Sequence, residues 1–242
     1  MPLSPATTPP AVPDCQVVEL RQYTLHPGKR DTLIELFDRE FVESQEALGI
    51  RVIGQFRDLD GPDRFVWLRG FADMAARGDS LPAFYFGPVW AQHRNTANPT
   101  MIDSDNVLLL RPAWAGAALP SPATPRAERG STALPPGLLV ATVFHLKAPA
   151  GPEQLAQARG PLGDALRAAG ARQLAWYVTE STANNFPRLP VREGEHVLVS
   201  LALFEDAKAA LSRDFGASLQ PWLAKPTQTL RLVPTARSAL HA

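Results

Sequence analysis

The chain has a single cysteine, Cys15, so neither an intrachain disulfide nor a cysteine-built metal site can form within it. Charge of one sign is not in excess: Lys+Arg and Asp+Glu each number 24, for a formal net charge of zero. That balance argues against coating nucleic acid or an anionic membrane, both of which need a basic surplus. Long apolar runs are missing too. The longest, Leu138 to Leu146, is broken by His145 and falls far short of the ~20 residues that cross a bilayer. There is no His-x-x-x-His pair, no tight carboxylate–histidine cluster and no glycine-rich phosphate loop, so no metal or bound cofactor is expected. Ser, His and Asp are present, but nothing places them as a triad. The opening residues MPLSPATTPPAVPD have neither the basic nor the apolar block of a signal peptide, and a cytoplasmic location is expected.

Proline, in contrast, is plentiful. Of 24 prolines in 242 residues, several crowd the first thirteen positions and several more lie between Pro112 and Gly137. Neither stretch carries enough large apolar residues to offset its ordering entropy. The chain therefore divides into a disordered lead (1–14), a first domain (15–113), a Pro/Ala-rich linker (114–136) and a second domain (137–235).

The two domains repeat one pattern. VVELRQYTL (17–25) reads as a strand, and Leu33, Leu36, Phe37, Phe41 and Leu48 recur at helical spacing over 29–48, closed by Gly49. RVIGQF (51–56) and RFVWLRGF (64–71) are strands joined through Asp60-Gly61-Pro62; helical stretches follow from Asp73 and over 88–96, then a strand over 106–112. The second half has strands at 138–146, 172–178, 196–204 and 229–234, a helix over 152–169 interrupted at Gly160-Pro161, and short helices over 205–213 and 218–224. Gly49-Ile50-Arg51 and Gly170-Ala171-Arg172 stand at an offset of 121. Each half is thus β-α-β-β-α-β, a ferredoxin-like unit with helices on one sheet face only. The other face must be covered, and a second copy of the sheet covers it. The fold class is α+β, with tandem ferredoxin-like repeats forming an intramolecular α/β barrel.

ELRQYTLHPGK (19–29), LGIRVIGQF (48–56), RFVWLRGF (64–71) and GPVWAQHRNTANPTMIDSDNVLLLRP (87–112) resemble the NIPSNAP family of the dimeric α/β-barrel superfamily. The second half resembles it in element order, and its insert WYVTESTANNFPRLPVREGEH departs from the pattern. The resemblance implies the fold and the barrel. It supplies no reaction, since the superfamily includes cofactor-free oxygenases, haem enzymes, lyases and binding proteins.

Strand alternation groups Glu19, Arg21, Tyr23, Trp67 and Arg69 on one face, joined by Ile53 and Gln55. If the more apolar face meets the helices, these residues line the barrel, opposite Thr142, Phe144, Leu174, Trp176, Leu198, Ser200 and Ala202. A buried arginine without a partner costs several kcal/mol. Either the cluster is a closed ion pair network, or the barrel holds a guest in a cavity of ~300–1,000 Å³. On the second view Arg21 and Arg69 hold a carboxylate or enolate, Tyr23 donates a hydrogen bond, and Trp67, Phe144 and Trp176 form an apolar wall with Glu19 and Gln55 nearby. His93 is the candidate proton shuttle, and Arg21 and Tyr23 complete the candidate catalytic set. His93 or His145 could ligate haem iron in a haem-binding variant of the fold, although His145 is expected to be buried under a helix.

The expected function is a small-molecule-binding barrel for a partly apolar acid or carbonyl compound, with proton transfer, lyase or oxygenase chemistry and no tightly bound cofactor. The alternative is a non-enzymatic interaction protein with a closed core, recruiting partners through its Pro-rich arms. Internal fusion supplies the barrel and leaves homodimerisation through the helices open.

Overall fold

The computed structural model describes residues 15–122, 125–206 and 215–242. The lead at 1–14 and most of the helix expected over 205–213 lie outside these residues.

The first half runs β1 (Val17–Leu25), α1 (Arg30–Leu36), a π turn (Phe37–Phe41), α2 (Val42–Glu46), β2 (Arg51–Asp58), β3 (Arg64–Phe71), α3 (Met74–Tyr85), α4 (Pro88–Ala97), the short β4 (Met101–Asp103) and β5 (Val107–Pro112). The second half runs β6 (Leu138–Leu146), α5 (Pro152–Gln157), a π turn (Ala158–Leu162), α6 (Gly163–Ala168), β7 (Gln173–Thr179), β8 (His196–Phe204), a 3₁₀ turn (Ala217–Trp222) and β9 (Gln228–Pro234). Each first helix thus carries a π turn at the same place, 121 residues apart. In the second copy that turn absorbs Gly160-Pro161, so the sequence break does not end the helix.

Eight strands close a barrel in the order β3-β2-β9-β6-β8-β7-β5-β1, with β1 pairing back onto β3, and every pairing is antiparallel. Each half contributes four neighbouring strands, and the halves join edge to edge through β2–β9 and β5–β7. Closure leaves no free edge among these eight strands. The β4 strand, an addition to the expected pattern, pairs with the end of β1.

The barrel interior is packed with aliphatic side chains. Val18, Leu20, Val66, Leu68, Leu108 and Leu110 from the first half meet Leu139, Val143, Val199, Leu201, Leu230 and Leu232 from the second in one buried cluster. Leu119 and Leu240 belong to the same cluster and bring the linker and the C-terminal tail into it. Eight strands enclose just enough room for side chains to fill.

This corrects the expected orientation of the sheet. Glu19, Arg21, Tyr23, Trp67 and Arg69 alternate with the barrel-lining residues and so face the helices, where Tyr23 and Trp67 join the core beneath α1, α3 and α4. Phe144, Trp176, Leu198 and Ala202 likewise pack on the helix side of the second half. The more apolar face turns inward, because a closed barrel offers neither water nor helix dipoles to a charge, whereas the sheet–helix layer offers polar partners. The expected guest cavity between the sheets is therefore filled by protein.

Ile53, expected beside Gln55, is displaced for a local reason. The β2–β3 register shifts at Gly54, so Ile53 joins Phe56 in facing the barrel, while Gln55 stays opposite Trp67 on the helix face with the rest of its expected group. There its Nε2 donates to Asp38 Oδ1 at 2.9 Å. His145, expected under a helix, alternates with Phe144 and instead borders the barrel mouth with Asp103, Asn106, Arg192 and Gln228.

The described residues of the linker are fastened at several points. Leu119 N donates to the Tyr177 hydroxyl at 2.9 Å. Arg126 reaches Glu46, Gln55 and backbone carbonyls of Val52 and Arg237.

Candidate functional site

The antiparallel register sets Glu19 opposite Arg69 and Arg21 opposite Trp67 on the helix face of β1 and β3. Helix α3, capped at its start by Asp73, delivers Arg77 onto the same carboxylate. Glu19 Oε2 lies 2.6 Å from Arg21 Nη1 and 2.7 Å from Arg69 Nε, and its Oε1 lies 2.7 Å from Arg77 Nε. All four side chains are shielded from solvent. One carboxylate thus faces three guanidinium groups, a local surplus of positive charge in a dry layer.

The remaining donors show how that surplus is held. Arg21 Nε donates to the Tyr23 hydroxyl at 3.0 Å. Arg69 Nη1 donates to Gln45 Oε1 at 3.2 Å and to the Tyr85 hydroxyl at 3.3 Å. Arg77 Nη1 donates to the side-chain oxygens of Asn184 and Asn185, at 3.0 and 2.6 Å. Trp67 offers its face to Arg21 and Arg69, at 5.5 and 5.1 Å from the ring centroid. In this cluster three buried donors have no hydrogen-bond partner among the described residues: Arg69 Nη2, Arg77 Nη2 and Trp67 Nε1.

Electrostatics follow from this crowding. Burial alone would raise the Glu19 carboxyl, but Arg69, Arg21 and Arg77 outweigh it and hold it far below the usual carboxylate range. Glu19 is therefore an anchor for cations and a poor base. Burial lowers Arg77, with Glu19 only partly opposing it, and burial raises the Tyr23 phenol, which stays protonated at neutral pH.

Beside the cluster lies a cavity of about 30 Å³, lined by Tyr23, Gln45, Trp67, Tyr85, Trp90 and Met101 among others. Its wall is a network of edge-on rings: Phe37 on Trp67 at 4.7 Å, Tyr85 on Trp90 at 5.0 Å and Tyr23 on Trp67 at 6.0 Å. The π turn supplies Phe37 and Phe41 to this wall. Both tyrosine oxygens accept from an arginine and both rings line the cavity. Each phenol proton is then free to donate to an oxygen placed there.

Of the residues singled out from sequence, Glu19, Arg21, Tyr23, Trp67 and Arg69 come together here. Gln55 shares their face opposite Trp67 but bonds Asp38 rather than the cluster, and Phe144 and Trp176 lie under the helices of the second half. His93 stands outside the aromatic wall, edge-on to Phe41 at 6.2 Å and 3.7 Å from Glu40 Oε2. Arg77, Tyr85, Gln45, Asn184 and Asn185 were not anticipated. In MAARGDSLPAFY an arginine reads as a solvated helix face, and only the fold shows α3 turning it onto β1. Among the described residues no group of His, Cys, Asp and Glu could hold a metal ion. Among them, too, no helix is long and apolar enough to cross a membrane.

The site is not duplicated. By strand register, Val140, Thr142, Ser200 and Ala202 of the second half stand where the first half has Glu19, Arg21, Trp67 and Arg69.

A one-chain α/β barrel with a single charged and aromatic site under the helices of one half is the class that fold and site define. Within it, residues 18–115 of the first half match the NIPSNAP family model. Among solved structures, the whole chain is similar in fold to an anthrone oxidase-like protein (TM-score 0.56, 15% identity, covering 96% of this chain and 98% of that one). It is similarly related to a protein described as a putative monooxygenase from Fusobacterium nucleatum (TM-score 0.53, 10% identity, 92% and 93% covered). Another so described, from Lactobacillus acidophilus, gives a TM-score of 0.52 at 11% identity, with 93% and 98% covered. No curated protein matches the sequence.

Proposed function

We propose that the first half binds a small, partly apolar molecule through an anionic or carbonyl oxygen, and that it stabilises negative charge on that oxygen during an oxygenase or proton-transfer step. The observation carrying this reading is the pair of phenols, Tyr23 and Tyr85. Each accepts from a buried arginine while facing an aromatic cavity. Donors so fixed, in a site already short of negative charge, suit an enolate, phenolate or carboxylate oxygen. Arg21 and Arg69 act behind the tyrosines, and the rings of Trp67, Phe37 and Trp90 contact the apolar body. Glu19 holds the arginines and takes no proton. The fold neighbours described as an anthrone oxidase-like protein and as a putative monooxygenase bear names consistent with oxygen chemistry on such a compound, which supports the reading.

A cavity of about 30 Å³ holds a single water's worth of liquid. An organic ligand enters by displacing Trp90 and Met101, which are only partly buried. Two probes test the reading: salicylate, followed by tryptophan fluorescence, and a hydroxylated anthrone, followed by oxygen consumption. Saturable salicylate binding that is lost in the Tyr23→Phe/Tyr85→Phe double variant supports it. A folded wild-type protein that binds neither probe overturns it. In that case the second reading stands, a structural ion cluster in a non-enzymatic interaction protein, which the small cavity favours.

A further inference from the structure

The β7–β8 connection is much longer than its counterpart in the first half: residues 180–195, against 59–63 between β2 and β3. It belongs to the second half, yet it packs on the first. Phe186, Leu189 and Val191 join the core beneath the first half's helices. Phe186 stacks on Tyr85 at 5.9 Å with the rings 26° apart. Asn184 and Asn185 both accept from Arg77 Nη1. Their amide orientations are fixed from the other end, Asn184 Nδ2 donating to the Leu189 carbonyl at 2.9 Å and Asn185 Nδ2 to the Met74 carbonyl at 2.5 Å. Helix α3 is shaped to receive them: a Cβ on Gly78 would lie 2.7 Å from Asn185 Nδ2.

We infer that Asn184, Asn185 and Phe186 of the second half are positioning residues for the first half's site, fixing Arg77 and Tyr85 while leaving the positive surplus of the cluster uncancelled. This rests on the reading of the site as one for an anionic or carbonyl oxygen. The choice of amides is the telling chemistry. A third guanidinium pressed against a single carboxylate needs acceptors. Aspartates would supply them with stronger bonds and would also neutralise the charge that a ligand oxygen is to meet. Amides satisfy the geometry and leave the charge. The stacked Phe186 meanwhile limits where the Tyr85 ring can swing, and so where its hydroxyl donates. The site is accordingly a composite of both halves, although only one half carries its charged residues.

The test exchanges amide for carboxylate with little change of shape. In Asn184→Asp and Asn185→Asp, taken singly, a purely structural role predicts unchanged or tighter packing and unchanged salicylate affinity. The positioning role predicts salicylate binding weakened by about tenfold, with a folded protein by circular dichroism. A second readout needs no ligand. The chain has three tyrosines, so the phenolate absorbance of Tyr23 can be isolated against Tyr23→Phe. Added negative charge should move its titration to higher pH. Phe186→Leu, a milder change, should weaken salicylate binding and leave the Tyr23 titration in place. Wild-type affinity together with wild-type Tyr23 titration in both aspartate variants overturns the inference. If the wild-type protein binds no salicylate, the reading of the cavity falls, and the Tyr23 titration alone decides the role of the insert.

Discussion

Glu19 and Arg69 face each other across β1 and β3, Oε2 to Nε at 2.7 Å, with no solvent reaching either side chain. The pair is one edge of a cluster in which a single carboxylate serves three guanidinium groups. Removing one partner of a buried pair leaves an uncompensated charge, which costs far more than the intact pair contributes.

Glu19→Gln is expected to destabilise the fold by about 3–5 kcal/mol, read as a lower urea midpoint. The sign of its pH dependence is set by a folded carboxyl held below its unfolded value. Its contribution is complete above the ordinary carboxylate range near ~4.3 and is progressively lost as pH falls below that. Wild type and Glu19→Gln should therefore converge in stability toward low pH, and a constant gap between pH 7 and pH 3 would contradict this.

Tyr23→Phe and Tyr85→Phe each remove one donor from the cavity and leave the ring. Each single variant should weaken salicylate binding by about 10- to 100-fold, measured by fluorescence titration, and Tyr23→Phe, which leaves the buried Arg21 Nε without its acceptor, should also lower the melting temperature. Equal affinity in either variant would remove that phenol from the site.

Asp38 gives the opposite pH sign from Glu19. Burial raises its carboxyl, more than Gln55, Thr235 and Arg237 lower it. The stability it lends is present below the ordinary aspartate range near ~3.9 and is lost as pH rises through the higher folded value. Asp38→Asn keeps an acceptor for Gln55 Nε2, so it should equal or exceed the wild type in stability at pH 7. That advantage should shrink toward pH 4, as followed by thermal melts across the range.

Gly70→Ala should be costly although β3 is otherwise regular. A Cβ there would stand 2.3 Å from Cys15 Sγ and 2.7 Å from its Cβ. Overpacking of this kind costs about 1–3 kcal/mol, and pairing the change with Cys15→Gly should recover part of the loss.

Periodicity carried most of the fold. β3, β6 and β8 begin and end as alternation predicts, and the near-constant offset of 121 relates the strand patterns of the two halves. Alternation also grouped Glu19, Arg21, Tyr23, Trp67 and Arg69 correctly on one face. It could not say which face lies inside, because that depends on the volume left when eight strands close. Ile53 was misplaced because a bulge at Gly54 resets the period, and a lone glycine in a strand only hints at one. Arg77 and Tyr85 come from α3 and Asn184 from an insert with no period of its own. Their convergence on β1 is a tertiary fact.

Because β2–β9 and β5–β7 are seams within one polypeptide, this barrel cannot come apart on dilution as a pair of separate subunits can. Nor is it bound by twofold symmetry, under which any substitution would strike both copies at once. One half carries the charged residues and the other supplies the loop that packs on them, a division of labour that identical subunits cannot adopt.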